Sequence, residues 1–109
     1  MDEKTLREVC ETLHVSRRAI QGYEKEGLLK PSGKNERGWL LYDTECQEQI
    51  KRLKFYQDIG LKVKEIKELL VEPVEIQRLI LHRQQEQLRR DIRKNEKLIT
   101  AISKMIEQL

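Results

Sequence analysis

The sequence predicts a mainly α-helical chain: a winged helix-turn-helix domain with a small two-stranded wing over residues 1–72, then a long coiled-coil helix over residues 73–109. Three observations predict it. Two short amphipathic segments, 6–13 and 16–26, are separated only by His14-Val15. A cluster of β-formers, Trp39-Leu40-Leu41-Tyr42, follows a Gly-containing basic turn. From Val74 to Leu109 there is neither Pro nor Gly, and in the second half of that stretch apolar residues recur at alternating steps of three and four, the first half being weaker.

Composition sets the outer limits. With 109 residues, 38% hydrophobic and 38% charged, the chain supports one modest domain plus an appendage. The net charge of +3 is weakly basic, but residues 16–42 hold six Lys/Arg (Arg17, Arg18, Lys25, Lys30, Lys34, Arg37) against three Glu (Glu24, Glu26, Glu36). Clear apolar periods and few Pro and Gly argue against disorder. There is no N-terminal apolar run, and no stretch approaches the roughly 18–20 apolar residues of a membrane span. Cys10 and Cys46 stand far apart without a CxxC partner, so a reduced cytoplasmic setting is the simplest reading.

The first helix is announced by Thr5-Leu6-Arg7-Glu8, a capping box in which Thr caps and Glu reaches back. Leu6, Val9, Cys10 and Leu13 then fall on one face, so residues 6–13 read as a helix with Cys10 as a core thiol. His14-Val15 makes a tight turn, with His14 a plain turn residue. Ser16 reads as the N-cap of the second helix and Gly27 as the residue that ends it. Between them Ala19, Ile20 and Tyr23 dock the helix on a core, while Arg17, Arg18 and Gln21 face away. Arg suits guanine edges or phosphates and Gln suits adenine. This window alone fits a solvated surface helix equally well, and its neighbours decide.

Leu28-Leu29 plugs the core and Lys30-Pro31-Ser32-Gly33 turns the chain. Residues 30–42 read as the wing, two short strands around a basic loop. A lone hairpin is marginal and must lean on the helices. Alternation sends Leu40 and Tyr42 to one face and Trp39 and Leu41 to the other, so one aromatic is exposed. Lys34 and Arg37 are placed to reach phosphates, with Trp39 or Tyr42 against the sugar backbone. Thr44-Glu45-Cys46-Gln47, with Asp43 before it, starts a helix through Cys46, Ile50, Leu53 and Ile59 that Gly60 ends. Cys46 reads as core, and Lys51, Arg52 and Lys54 as a solvated face. Leu61, Val63, Ile66, Leu69 and Leu70 mark a further short helix stopped at Glu72-Pro73.

The terminal segment predicts one helix of about 36 residues, roughly 54 Å long. Its seam is strong in the second half: Leu88, Ile92, Asn95, Ile99, Ile102, Ile106 and Leu109, widened by Leu98 and Met105. Such a helix needs a partner, and a polar residue within the seam, here Asn95, commonly sets register or oligomer state. His82 falls beside the seam as a rim residue. The mixed charges of this segment make no consistently basic face, which argues against a membrane-surface helix.

The ordered set resembles the MerR family of bacterial transcriptional regulators. It is carried by Val15-Ser16-Arg17-Arg18, Tyr23-Glu24-Lys25-Glu26-Gly27-Leu28-Leu29-Lys30-Pro31, Gly38-Trp39 with Leu41-Tyr42, and Ile59-Gly60-Leu61 with Glu65-Ile66-Lys67-Glu68-Leu69-Leu70. The resemblance implies a homodimer joined by an antiparallel coiled coil. It implies a palindromic promoter site in double-stranded DNA, activation by bending and untwisting that DNA, and RNA polymerase as a further partner at the promoter. Carried over by position, Arg17, Arg18, Gln21 and Tyr23 would contact DNA, with Arg37, Trp39 and Tyr42 from the wing; Ser16 at the helix start and Lys34 in the wing complete the candidate DNA-binding set. The chain departs from the family pattern in two places. Gln21-Gly22 stands where Arg-Tyr is usual, and Leu40 stands where Arg is usual. Arg18, Lys34 and Arg37 are expected to take over part of the lost charge. The sequence identifies no effector, since no Cys follows Cys46 to match the family's metal and redox sensors.

Two other readings stay open: an architectural, excisionase-like DNA-bending protein, and a coiled-coil interaction module that has lost DNA binding. An enzyme is not expected. There is no Gly-rich phosphate loop, no metal-spaced His/Cys set, no nucleophile–base pair and hence no catalytic residue, metal ligand or cofactor to name.

Overall fold

A computed structural model describes residues 2–109. The elements run β1 (Lys4–Thr5), α1 (Leu6–Leu13), α2 (Arg17–Lys25), β2 (Gly33–Lys34), β3 (Leu40–Tyr42), α3 (Thr44–Asp58), α4 (Val63–Leu70) and α5 (Val74–Glu107). The chain divides into two units, the second being Glu72–Leu109. The fold is mainly α, a winged helix-turn-helix followed by a long C-terminal helix.

The helix-turn-helix forms as its caps dictate. Thr5 is extended, and its Oγ accepts from the Glu8 N–H at 3.3 Å, while the Glu8 carboxylate accepts from the Thr5 N–H at 2.9 Å. His14 closes α1 in the left-handed region, with φ 54°. This brings buried Val15 inward and leaves Ser16 extended, its Oγ accepting from the Ala19 N–H at 3.0 Å. Gly27, at φ 76°, ends α2 as expected. The Leu28 N–H reaches the Tyr23 carbonyl at 2.9 Å and the Gly27 N–H the Glu24 carbonyl at 3.1 Å, a Schellman arrangement.

The wing is larger than the expected two strands. β3 is the centre of a three-stranded antiparallel sheet in the order β1-β3-β2. Lys4 pairs with Tyr42 and Thr5 with Leu41 on one side, and Gly33 pairs with Leu41 and Lys34 with Leu40 on the other. The third strand has a simple cause. The residues leading into the Thr5 cap are extended, and the open edge of β3 supplies their backbone partners. Gln47 adds a clip that the sequence did not advertise. It is 8% exposed, and its side-chain amide donates to the carbonyls of Asp2 at 2.6 Å and Tyr42 at 2.9 Å.

The core of this unit draws on every helix and on β3. Val9, Ile20, Tyr23, Tyr42, Ile50, Leu53, Ile66 and Leu69 are fully buried. Three details differ from expectation. The cap of α3 is Asp43, not Thr44, and its carboxylate accepts from the Cys46 N–H at 2.9 Å. Cys10 and Cys46 are half-buried at the margin of the core rather than within it. The Cys46 thiol donates to the Lys30 carbonyl at 3.2 Å, and burial pushes its pKa up, which makes it a poor nucleophile. α4 starts at Val63, because Leu61 is used as a buried plug in the preceding turn.

In the second unit, Pro73 precedes α5, which runs 34 residues or about 51 Å. None of its residues is buried. Leu88, Ile92, Ile99, Ile102 and Ile106 form an exposed apolar stripe on which Asn95 also lies, while Leu109 sits beyond the end of the helix. Short-range pairs, such as Arg89–Glu86 at 2.9 Å, support the polar face.

Candidate nucleic-acid interface

α2 presents two faces with opposite chemistry. Ile20 and Tyr23 are 0% exposed, whereas Arg17, Arg18 and Gln21 are exposed on the other side, beside the exposed cap residue Ser16. The first turn contains no acidic residue. Among the described residues, no ion pair or hydrogen bond occupies the side chains of Arg17, Arg18 or Gln21. Two unengaged guanidiniums at the positive end of a helix dipole repel one another and the helix end. The local fold gains nothing from them, so their placement is suited to an anion or a base edge.

Asn35 organises the wing tip. Its Oδ1 accepts from the backbone N–H of Arg37 at 2.9 Å and of Trp39 at 3.0 Å, and its carbonyl accepts from the Gly38 N–H at 2.9 Å. Gly38 takes φ 80°, which closes the turn and brings the Arg37 guanidinium over the Trp39 ring, 5.3 Å from its centroid. Trp39 is 54% exposed and Tyr42 is buried, so of the two wing aromatics it is Trp39 that faces outward. Lys34 is exposed on the neighbouring strand.

The two tyrosines are a correction. Tyr23 and Tyr42 are both 0% exposed, so neither ring is available to DNA. The Tyr23 hydroxyl donates to the Gln57 side-chain carbonyl, fixing α2 on α3. The Tyr42 hydroxyl lies 3.3 Å from both oxygens of the Glu24 carboxylate, tying β3 to α2. Burial, with Glu24 beside it, raises the Tyr42 pKa far above its ordinary value, and burial with Asp58 nearby raises that of Tyr23. Both remain neutral donors. Their apolar bodies won over their polar tips because α2 and β3 each need a large side chain facing the same core.

The structure also brings together residues that the sequence kept apart. A cleft of about 390 Å³ opens between the starts of α1 and α2 and strand β3, lined by Thr5, Leu6, Arg7, Arg17, Trp39 and Leu40. Arg7 and Asn35 did not stand out in the sequence. Asn35 had a usable signal, an Asn two residues before Arg37 in a Gly-closed turn. Arg7 had none, since only the packing of α1 on the wing sets it near Trp39. Among the described residues, no group of three or more His, Cys, Asp or Glu could hold a metal ion, and no helix is long and apolar enough to cross a membrane.

The profile of the "MerR HTH family regulatory protein" group matches residues 4–72. The chain belongs to this MerR family. The matched span contains the whole winged helix-turn-helix. The chain is 29% identical over 101 residues to the HTH-type transcriptional activator mta of Bacillus subtilis (strain 168), covering 93% of this chain and 39% of that protein. It is 30% identical over 93 residues to the HTH-type transcriptional activator TipA of Streptomyces coelicolor, covering 85% of this chain and 37% of TipA. This MerR-family chain thus spans less than two fifths of either relative. Among solved structures, the N-terminal part of the Bacillus subtilis multidrug transporter activator, MtaN, superposes with a TM-score of 0.67 at 28% identity, covering 94% of this chain and 97% of that one. A MerR-family regulator from Bacillus cereus superposes with a TM-score of 0.78 at 23% identity over 97% of this chain and 81% of that one. HiNmlR, a MerR family regulator lacking the sensor domain and bound to promoter DNA, does so at 0.73 and 19% identity over 89% of this chain and 78% of that one. The last two establish the shared fold.

Proposed function

We propose that this chain is a dimeric, sequence-specific DNA-binding regulator of transcription in the cytoplasm. Residues 1–72 are its DNA-binding domain and residues 73–109 its dimerisation helix. α2 enters the major groove with Arg17, Arg18 and Gln21 toward base edges and phosphates, and Ser16 at its start. The wing lays Arg37, Trp39 and Lys34 along the sugar–phosphate backbone. α5 pairs with a second copy in antiparallel fashion through Leu88, Ile92, Asn95, Ile99, Ile102 and Ile106, with Leu109 at its end. Two α2 helices then meet a palindromic site, and the dimer distorts the DNA between the half-sites, where RNA polymerase engages the promoter.

The observation that carries this reading is the pair of unengaged arginines on an outward helix face, flanked by a wing whose Arg37 is stacked on Trp39. The test is selection from randomised duplexes followed by salt titration of the winner. An enriched palindrome, with affinity falling steeply as salt rises, is the expected result. Absence of binding at low salt would count against the reading and favour a protein-interaction module.

A further inference from the structure

We propose that Arg7, at the start of α1, is an additional DNA phosphate contact that supplies the charge Leu40 does not. This rests on the DNA-binding reading above and adds to it a residue outside the recognition helix and the wing. Arg7, Arg17, Trp39 and Leu40 line one cleft. Its apolar part, Leu6, Trp39 and Leu40, suits a deoxyribose, and its two arginines suit the adjoining phosphate. The cleft is lined by residues from the starts of α1 and α2 and from the wing, so it joins the two surfaces that the reading above turns toward DNA.

The fold itself gives Arg7 little reason to be there. It is the second residue of α1, at the positive end of the helix dipole, where a cation is unfavourable. Its one partner is Glu11, at 3.2 Å, in an i,i+4 pair with side chains 83% and 65% exposed. That pair has Arg on the N-terminal side, the weaker orientation, and exposed pairs of this kind add little. The guanidinium is therefore free to exchange Glu11 for a phosphate. Leu40, the neighbour in the cleft, offers no charge, so Arg7 and Arg17 are the cations that line it, with Arg37 above the Trp39 ring.

The experiment compares the unmutated 109-residue chain with Arg7→Ala, Arg7→Lys and Arg17→Ala on the selected duplex, titrating salt in each case. Melting curves confirm that each variant is folded. For Arg7→Ala, the expected result is a slope of log K on log [salt] reduced by about 0.9 per subunit, with affinity down about tenfold near physiological salt and the sequence preference unchanged. Arg7→Lys keeps the slope, because a phosphate needs a cation rather than a fork. An unchanged slope in Arg7→Ala, with a reduced slope in Arg17→Ala, would overturn the inference and leave the DNA-binding reading standing. A changed sequence preference in Arg7→Ala would also overturn it, by making Arg7 a base reader. If the unmutated protein binds no duplex, both readings fall.

Discussion

At the scale of single residues, the outcome turns on which end of a side chain wins. Tyr23 has a hydroxyl that could meet DNA and a ring that can fill a core, and the ring decided. Tyr23→Phe should cost about 1 kcal/mol of stability, because Gln57 loses its donor, and should leave the salt slope of DNA binding untouched. Denaturant unfolding and a salt titration check the two halves. Gly22 poses a different question. A Cβ built there meets nothing within 4 Å, so Gly22→Ala should stabilise α2 by up to about 1 kcal/mol. A rise in melting temperature with a fall in DNA affinity would show that the glycine serves close approach of the backbone to DNA. Glu8 and Asp43 each add a dependence on acid pH. Each carboxyl is held below its ordinary value by a backbone N–H, that of Thr5 for Glu8 and that of Cys46 for Asp43. Both therefore contribute stability above the ordinary carboxylate pKa, and that contribution is lost as pH falls through the depressed folded values. Asp43→Asn, which keeps the capping oxygen, should flatten the stability profile below about pH 4.

At the scale of elements, the wing combines a rigid tip with an anchored base. Asn35 holds the tip through two backbone N–H groups, and Tyr42, Gln47 and β1 hold the base. Asn35→Ala should leave the fold intact and release the Arg37–Trp39 stack. Tryptophan fluorescence would report a changed Trp39 environment, together with weaker DNA binding. Lys34→Ala and Arg37→Ala combined should lower the salt slope, which checks whether wing cations compensate for Leu40. An unchanged slope would refute the compensation.

At the scale of the whole molecule, the proposed assembly turns on α5. Five large aliphatic residues of its stripe are exposed, from Leu88 to Ile106, and a single helix cannot bury them. Ile99→Asp should convert the proposed dimer to a monomer in sedimentation and reduce DNA affinity sharply, since each half-site would then be held alone. Asn95→Ile should raise the melting temperature while loosening the choice of register or oligomer state, a change visible as mixed species in the same sedimentation runs.

Local rules made most of the architecture legible in the sequence. The Thr5 box, the Ser16 cap, the Gly27 stop and the Glu72-Pro73 break each act within one helical turn, and all four fall where expected. The outward face of α2 followed from helical period, and the exposure of one wing aromatic from strand alternation, though not which one. What tertiary structure decided was contact between distant segments. Only packing made Lys4–Thr5 a third strand, turned Gln47 into a clip, sent Tyr42 rather than Trp39 inward, and set Arg7 and Trp39 in the lining of one cleft. The reason is physical. Caps and periods are set by neighbours along the chain, whereas the edge of a strand, the vacancy in a core and the rim of a cleft exist only once separate elements have met.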